Sequence, residues 1–144
     1  MRIHQITDLH IPDDESDERF GHVLKNVRRQ FLFIEFEKPD LLVISGDLTM
    51  NDYSEASCLW IKLNLPDVPV VVIPGNHDDP AMINRIFGAW QSRIDYDDCT
   101  LIFLDTSSDR LPPSQLEFLA NVRSEKQCAL FIHHPPHLIA FSYT

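Results

Sequence analysis

Four short apolar runs in this chain each lead into a cluster of carboxylate, amide or imidazole residues. Arg2–Thr7 leads into Asp8-Leu9-His10, and Leu41–Ser45 into Gly46-Asp47. Val70–Ile73 leads into Gly75-Asn76-His77-Asp78, and Cys128–Ile132 into His133-His134-Pro135-Pro136. Aliphatic and β-branched runs of this length, separated by helix-like stretches, read as strands of a buried, mainly parallel sheet. The loops at the carboxyl ends of such strands gather along one edge, where ligands bind. Carboxylates from Asp8 and Asp47, the Asn76 amide and several imidazoles are therefore expected in one place. That donor set suits hard-to-borderline divalent metals, and the expectation is a dinuclear metal site.

The bulk numbers narrow the partners. At 144 residues and 44% hydrophobic composition, one domain with one core is expected. The net charge of −10 argues against sequence-independent binding to nucleic acid or anionic lipid, which need a basic surface. A cationic metal centre can still draw in a phosphate. No stretch reaches the roughly 20 apolar residues of a membrane span, and the chain opens into a strand-like run rather than a secretion leader. Cys58, Cys99 and Cys128 are widely spaced, so buried free thiols in a reducing cytoplasm are the expectation.

An acidic loop, residues 11–18, follows the first run and reads as solvated charge. Helices are expected at about Arg19 to Glu37, beyond Asn51 or Asp52 as a cap, at about Pro80 to Phe87, and after Pro112-Pro113. Asp95–Asp98 with Thr100–Leu104 resembles a hairpin with one strand buried and one at an edge. No linker marks a second domain. His4 and His22 read as structural or surface residues. Trp60, Trp90 and the phenylalanines read as core rather than as a platform for a nucleobase.

Hydrolysis of a phosphate ester needs a nucleophile made from water, neutralised phosphoryl oxygens and a proton for the leaving group. Two metals about 3.5–4 Å apart supply the first two. One carboxylate must bridge them, and Asp47, on the middle of the three opening strands, is the candidate. Asp8 and His10 alternate, so on an extended segment both would face one ion. Asn76 offers a neutral oxygen to the other ion, and His133 an imidazole. His77 is left to donate a proton or stabilise phosphate charge, with Asp78 expected to hold its ring. Alone, Asp-x-His is more often a solvated strand end and Gly-Asp a turn; together and in order, they are poorly explained that way.

These motifs, in this order from Met1 to about His137, resemble the calcineurin-like metallophosphoesterases. The His-His-Pro-Pro segment is most similar to the class III cyclic-nucleotide phosphodiesterase branch, as are Leu104-Asp105-Thr106 and Gln115–Leu119. The resemblance implies the N-terminal half of a four-layer αββα sandwich, an α/β fold whose mostly parallel sheet is flanked by helices. It implies that Asp8, His10 and Asp47 serve one metal, that Asp47, Asn76 and His133 serve the other, and that His77 acts beside the leaving group. His133 rather than His134 matches the family's His-x-Pro pattern. Manganese, iron and zinc all fit such a shell. The expected reaction is hydrolysis of a phosphodiester, a cyclic nucleotide or another small diester, by a hydroxide bridging the metals. A phosphomonoesterase or nuclease using the same centre is the alternative.

The family also carries a Gly-His-x-His motif that gives each metal one more histidine, and none follows His133 here. Three accounts stand side by side. The domain at 1–144 is an incomplete piece of a longer enzyme; a second copy covers the exposed sheet as a homodimer; or the chain keeps the architecture as a weakly metal-binding, self-associating fragment. Pro135-Pro136 excludes a helical pairing of His133 with His137, so His137 is not taken as a replacement ligand.

Overall fold

The computed structural model describes residues 1–135. Strands β1 (Ile3–Ile6), β2 (Leu41–Ser45) and β3 (Val70–Ile73) form one parallel sheet with β2 in the middle. Strands β4 (Arg93–Asp95), β5 (Cys99–Phe103) and β6 (Gln127–Phe131) form a second sheet. There β4 runs antiparallel to β5, and β6 runs parallel to it. The mainly parallel arrangement expected from the sequence holds, but it is divided between two sheets.

Strand periodicity explains the layering, because successive side chains leave β2 on opposite faces. Leu42 and Ile44 join Leu24, Val27, Phe31 and Ile34 of helix α1 (Gly21–Glu37) in one core. Trp60 and Ile61 of α2 (Glu55–Asn64) and Ile83 of α3 (Pro80–Phe87) complete that helical layer. Leu41 and Val43 face the other way and meet Ile73, Leu101, Phe103 and Phe131, so the two sheets pack face to face. Phe103 and Phe131 stack with centroids 5.1 Å apart, within the range favoured by aromatic pairs. The result is a mixed α/β fold consistent with the N-terminal part of a metallophosphoesterase sandwich. Helix α4 (Pro113–Asn121) buries none of its residues.

Local chemistry accounts for the element ends. Pro80 lies in the first turn of α3, Asp79 caps it by accepting from the Ala81 amide, and Gly88 closes it at φ 92°. The expected cap of α2 is corrected. Ser54 performs it, accepting from the Ser57 amide at 3.2 Å, because Asn51 and Asp52 lie too far upstream. The thiols also need correction: Cys58 is buried, Cys99 is half-buried and Cys128 is exposed. Burial, with the charges of Asp78 and Glu55, pushes the Cys58 thiol up to about 12. No helix among the described residues is long and apolar enough to cross a membrane. Pro136 and His137 lie outside the described residues.

Candidate metal centre

The loops after β1 and β2 run on together beyond the end of the sheet. Asp8 N–H donates to Gly46 O at 3.0 Å, His10 N–H to Asp47 O at 3.1 Å, and Ile11 N–H to Leu48 O at 2.9 Å. Both loops leave extended geometry to do this. Asp8, His10 and Asp47 have φ of 56°, 43° and 53°, a left-handed region that is uncommon outside glycine. The expectation that Asp8 and His10 converge through an extended, alternating segment is therefore corrected. They converge through a twisted turn, and three strained residues in one place mark a constrained site.

The Asp47 carboxylate is the hub. His133 Nε2 lies 3.3 Å from its Oδ1, and His10 Nε2 lies 3.8 Å from its Oδ2. Asp8 Oδ1 is 3.8 Å from the same His10 nitrogen, and single ligand atoms of Asp8, Asp47 and His133 all fall within 4.8 Å of one another. The other ring nitrogens are committed to backbone: His133 Nδ1 to Ser45 O at 2.9 Å, His10 Nδ1 to Thr49 O at 3.3 Å. A carbonyl only accepts, so Nδ1 donates in each ring and Nε2 is the nitrogen turned toward Asp47. That is how ligating histidines are usually fixed in tautomer and orientation. Hard oxygen donors and imidazole nitrogens turned toward one carboxylate fit a divalent metal.

Two glycines let the loops close on this hub. Gly46 has φ 99°, and a β-carbon there would lie 2.6 Å from His133 Nδ1 and 2.7 Å from the Gly75 backbone. A β-carbon on Gly75 would fall on the Asp47 carboxylate.

The loop after β3 distributes its residues differently from the sequence expectation. Asp78 does not hold the His77 ring. It is 3% exposed, and its carboxylate accepts from Leu48 N–H at 3.0 Å and Gly75 N–H at 2.9 Å. It ties the Asp47 loop to the Gly75 turn. Burial pushes its carboxyl up from the ordinary carboxylate value, against those amide bonds. The ring partner of His77 is Asp52, whose Oδ1 is 2.6 Å from Nδ1. That bond raises the imidazole above its ordinary value, and the nearby carboxylates of Asp47 and Asp78 add to the effect. His77 N–H donates to Asp47 Oδ1 at 3.2 Å, which sets the loop against the hub. Asn76 lies half-buried in a cleft of about 420 Å³ with Tyr53 and Ser107.

His134 turns away from the hub. Its Nδ1 donates to Thr106 O at 2.8 Å, its amide donates to Thr106 Oγ1 at 3.0 Å, and its Nε2 lies 3.4 Å from Asp109 Oδ1. Asp52 and Thr106 are contributors that sequence reasoning missed. Asp52 carries a signal, an acidic residue soon after Gly46-Asp47, but in sequence that position fits a helix cap equally well.

The family described as calcineurin-like phosphoesterase matches residues 1–140. A probable cyclic nucleotide phosphodiesterase of Fibrobacter succinogenes is 32% identical over 99% of this chain and 60% of its own length. One from a Pseudoalteromonas species is 30% identical over 94% of this chain and 57% of its own length. A probable glycerophosphodiester phosphodiesterase of Arcobacter nitrofigilis is 33% identical over 69% of this chain and 43% of its own length. The chain thus spans about three fifths or less of these relatives.

Proposed function

Since the chain belongs to the calcineurin-like phosphoesterase family, we propose that it is a metal-dependent phosphodiesterase for a small diester. The observation that carries this reading is the Asp47 carboxylate, shared between two imidazoles that both present Nε2 to it. Asp8, His10 and Asp47 would hold one divalent ion, and Asp47, Asn76 and His133 the other. Such a pair, of manganese, iron or zinc, supplies Lewis acidity toward the phosphoryl oxygens and an activated water.

The protein's own groups do the rest. Asp52 fixes the His77 ring through Nδ1 and favours its protonated form. Nε2–H of His77 is then free to give a proton to the leaving oxygen. Asp78 keeps the Asp47 and Gly75 loops in register through the Leu48 and Gly75 amides. The relatives are named for cyclic nucleotides and for glycerophosphodiesters, so a small diester is the shared substrate class. The net charge of −10 disfavours a long nucleic acid.

The test pairs elemental analysis, after purification with manganese or zinc, with turnover of bis(p-nitrophenyl) phosphate and p-nitrophenyl phosphate. Bound metal and faster diester hydrolysis, both lost in Asp47→Ala, are expected. A chain without metal and no more active than the variant sinks the reading, and preference for the monoester replaces it with a phosphomonoesterase.

A further inference from the structure

Tyr53 is a bulky aromatic residue at a positive φ of 64°. A large side chain in the left-handed region is a genuine outlier and is kept only where its surroundings over-determine it. Here they do. Tyr53 N–H donates to His77 O at 3.2 Å. One residue back, Asp52 holds the His77 ring, and two residues back, Asn51 Nδ2 donates to Asp13 Oδ2 at 2.6 Å. One residue on, Ser54 caps α2. Yet the tyrosine so firmly placed is 57% exposed, so its ring is not held there to fill a core.

Tyr53 lines a cleft of about 420 Å³ together with Asn76, Pro80, Ser107 and Ser108. The loop that brings Ser107 to the cleft is also fixed. Asp105 N–H donates to Gln115 Oε1 at 2.9 Å, and Gln115 Nε2 donates back to Asp105 O at 3.1 Å. Ser107 N–H donates to Asp105 Oδ1 at 2.8 Å. Aromatic, proline and hydroxyl surfaces line the cleft beside a candidate ligand, and the only charges among the lining residues are carboxylates. A second anion is unwelcome there, whereas a flat neutral heterocycle fits.

We propose that Tyr53 is a specificity residue, a stacking platform for the base of a nucleoside phosphodiester whose phosphate lies at the Asp47 centre. This rests on the phosphodiesterase reading above and narrows its substrate to nucleoside diesters over aliphatic ones. Base–aromatic stacking tolerates any base, because every base has a π-face.

The test uses the manganese-loaded full chain and its Tyr53→Ala and Tyr53→Phe variants. Affinity for adenosine 5′-monophosphate and for glycerol 3-phosphate is measured by calorimetry, alongside turnover of 3′,5′-cyclic AMP and glycerophosphocholine. Alanine keeps the β-carbon and therefore the backbone strain, and circular dichroism checks the fold. Tyr53→Ala is expected to weaken the adenosine ligand about fivefold or more, leave glycerol phosphate within about twofold, and raise KM for the cyclic nucleotide alone; Tyr53→Phe should behave as wild type. Equal losses for both ligands, no loss, or a wild type that does not prefer the nucleotide overturns the platform. Aliphatic turnover with no selective effect of Tyr53→Ala removes the platform and leaves the phosphodiesterase standing. Selective loss of nucleotide affinity in a chain that hydrolyses neither diester does the reverse.

Discussion

Strands β2 and β6 are both five residues long, both parallel to a neighbour and both followed by a site residue, yet they live in opposite surroundings. Every residue of β2 is buried, between helices on one face and the second sheet on the other. Only Phe131 of β6 is buried, and Leu130 is 47% exposed. The contrast teaches that the two sides of the candidate centre are held by different means. Asp47 stands on a strand fixed by two cores, whereas His133 stands on a strand covered on one face and is fixed by its bond to Ser45 of the other sheet.

The largest effect should come from the hub. Asp47→Ala is expected to lower diester turnover by about a thousandfold or more and to empty the metal from the purified protein, read by kinetics and elemental analysis. If activity survives with metal retained, the two sides do not share this carboxylate.

The strand contrast can be tested directly. Ile44→Ala, at a site with 0% exposure, should cost about 2–5 kcal/mol in denaturant melts. Leu130→Ala should cost less than about 1 kcal/mol, in keeping with its exposure. Equal costs would mean that β6 is covered in solution, by a second copy or otherwise.

Gly46→Ala should follow, at about 2 kcal/mol, because it combines a positive φ with contact on His133. Asp52→Asn should lower kcat about tenfold with little change in KM. Since Asp52 raises His77, and a proton donor works below its pKa, the alkaline limb of the rate profile should move to lower pH in the variant. The smallest effect concerns thiols. At pH 8, Cys128 should react with a disulfide reagent at once, while Cys58, raised to about 12 by burial, should react only after unfolding, with no change in stability.

Much of the fold was legible because apolar runs and their punctuation are local. Pro80 and Gly88 bracket α3 as written in the sequence, and the runs before Asp8, Asp47, Asn76 and His133 mark the strands. What escaped was long-range or conformational. Nothing local tells that Asp52 meets a histidine 25 residues on, or that Asp78, beside His77, bonds to Leu48 instead. Alternation suggested a shared side for Asp8 and His10, but the positive φ values come from the loop pairing with residues 46–48, which is tertiary. The division into two sheets is likewise invisible along β2, since a strand buried on both faces reads the same whatever covers it.

The bonds from His133 to Ser45 O and from His10 to Thr49 O reach carbonyls two residues before and two residues after Asp47. One stretch of backbone therefore acts as a gauge. It carries the shared carboxylate and also dictates where the two imidazoles stand on either side of it. Although the histidines arrive from opposite ends of the chain and from different sheets, their separation is written into residues 45–49.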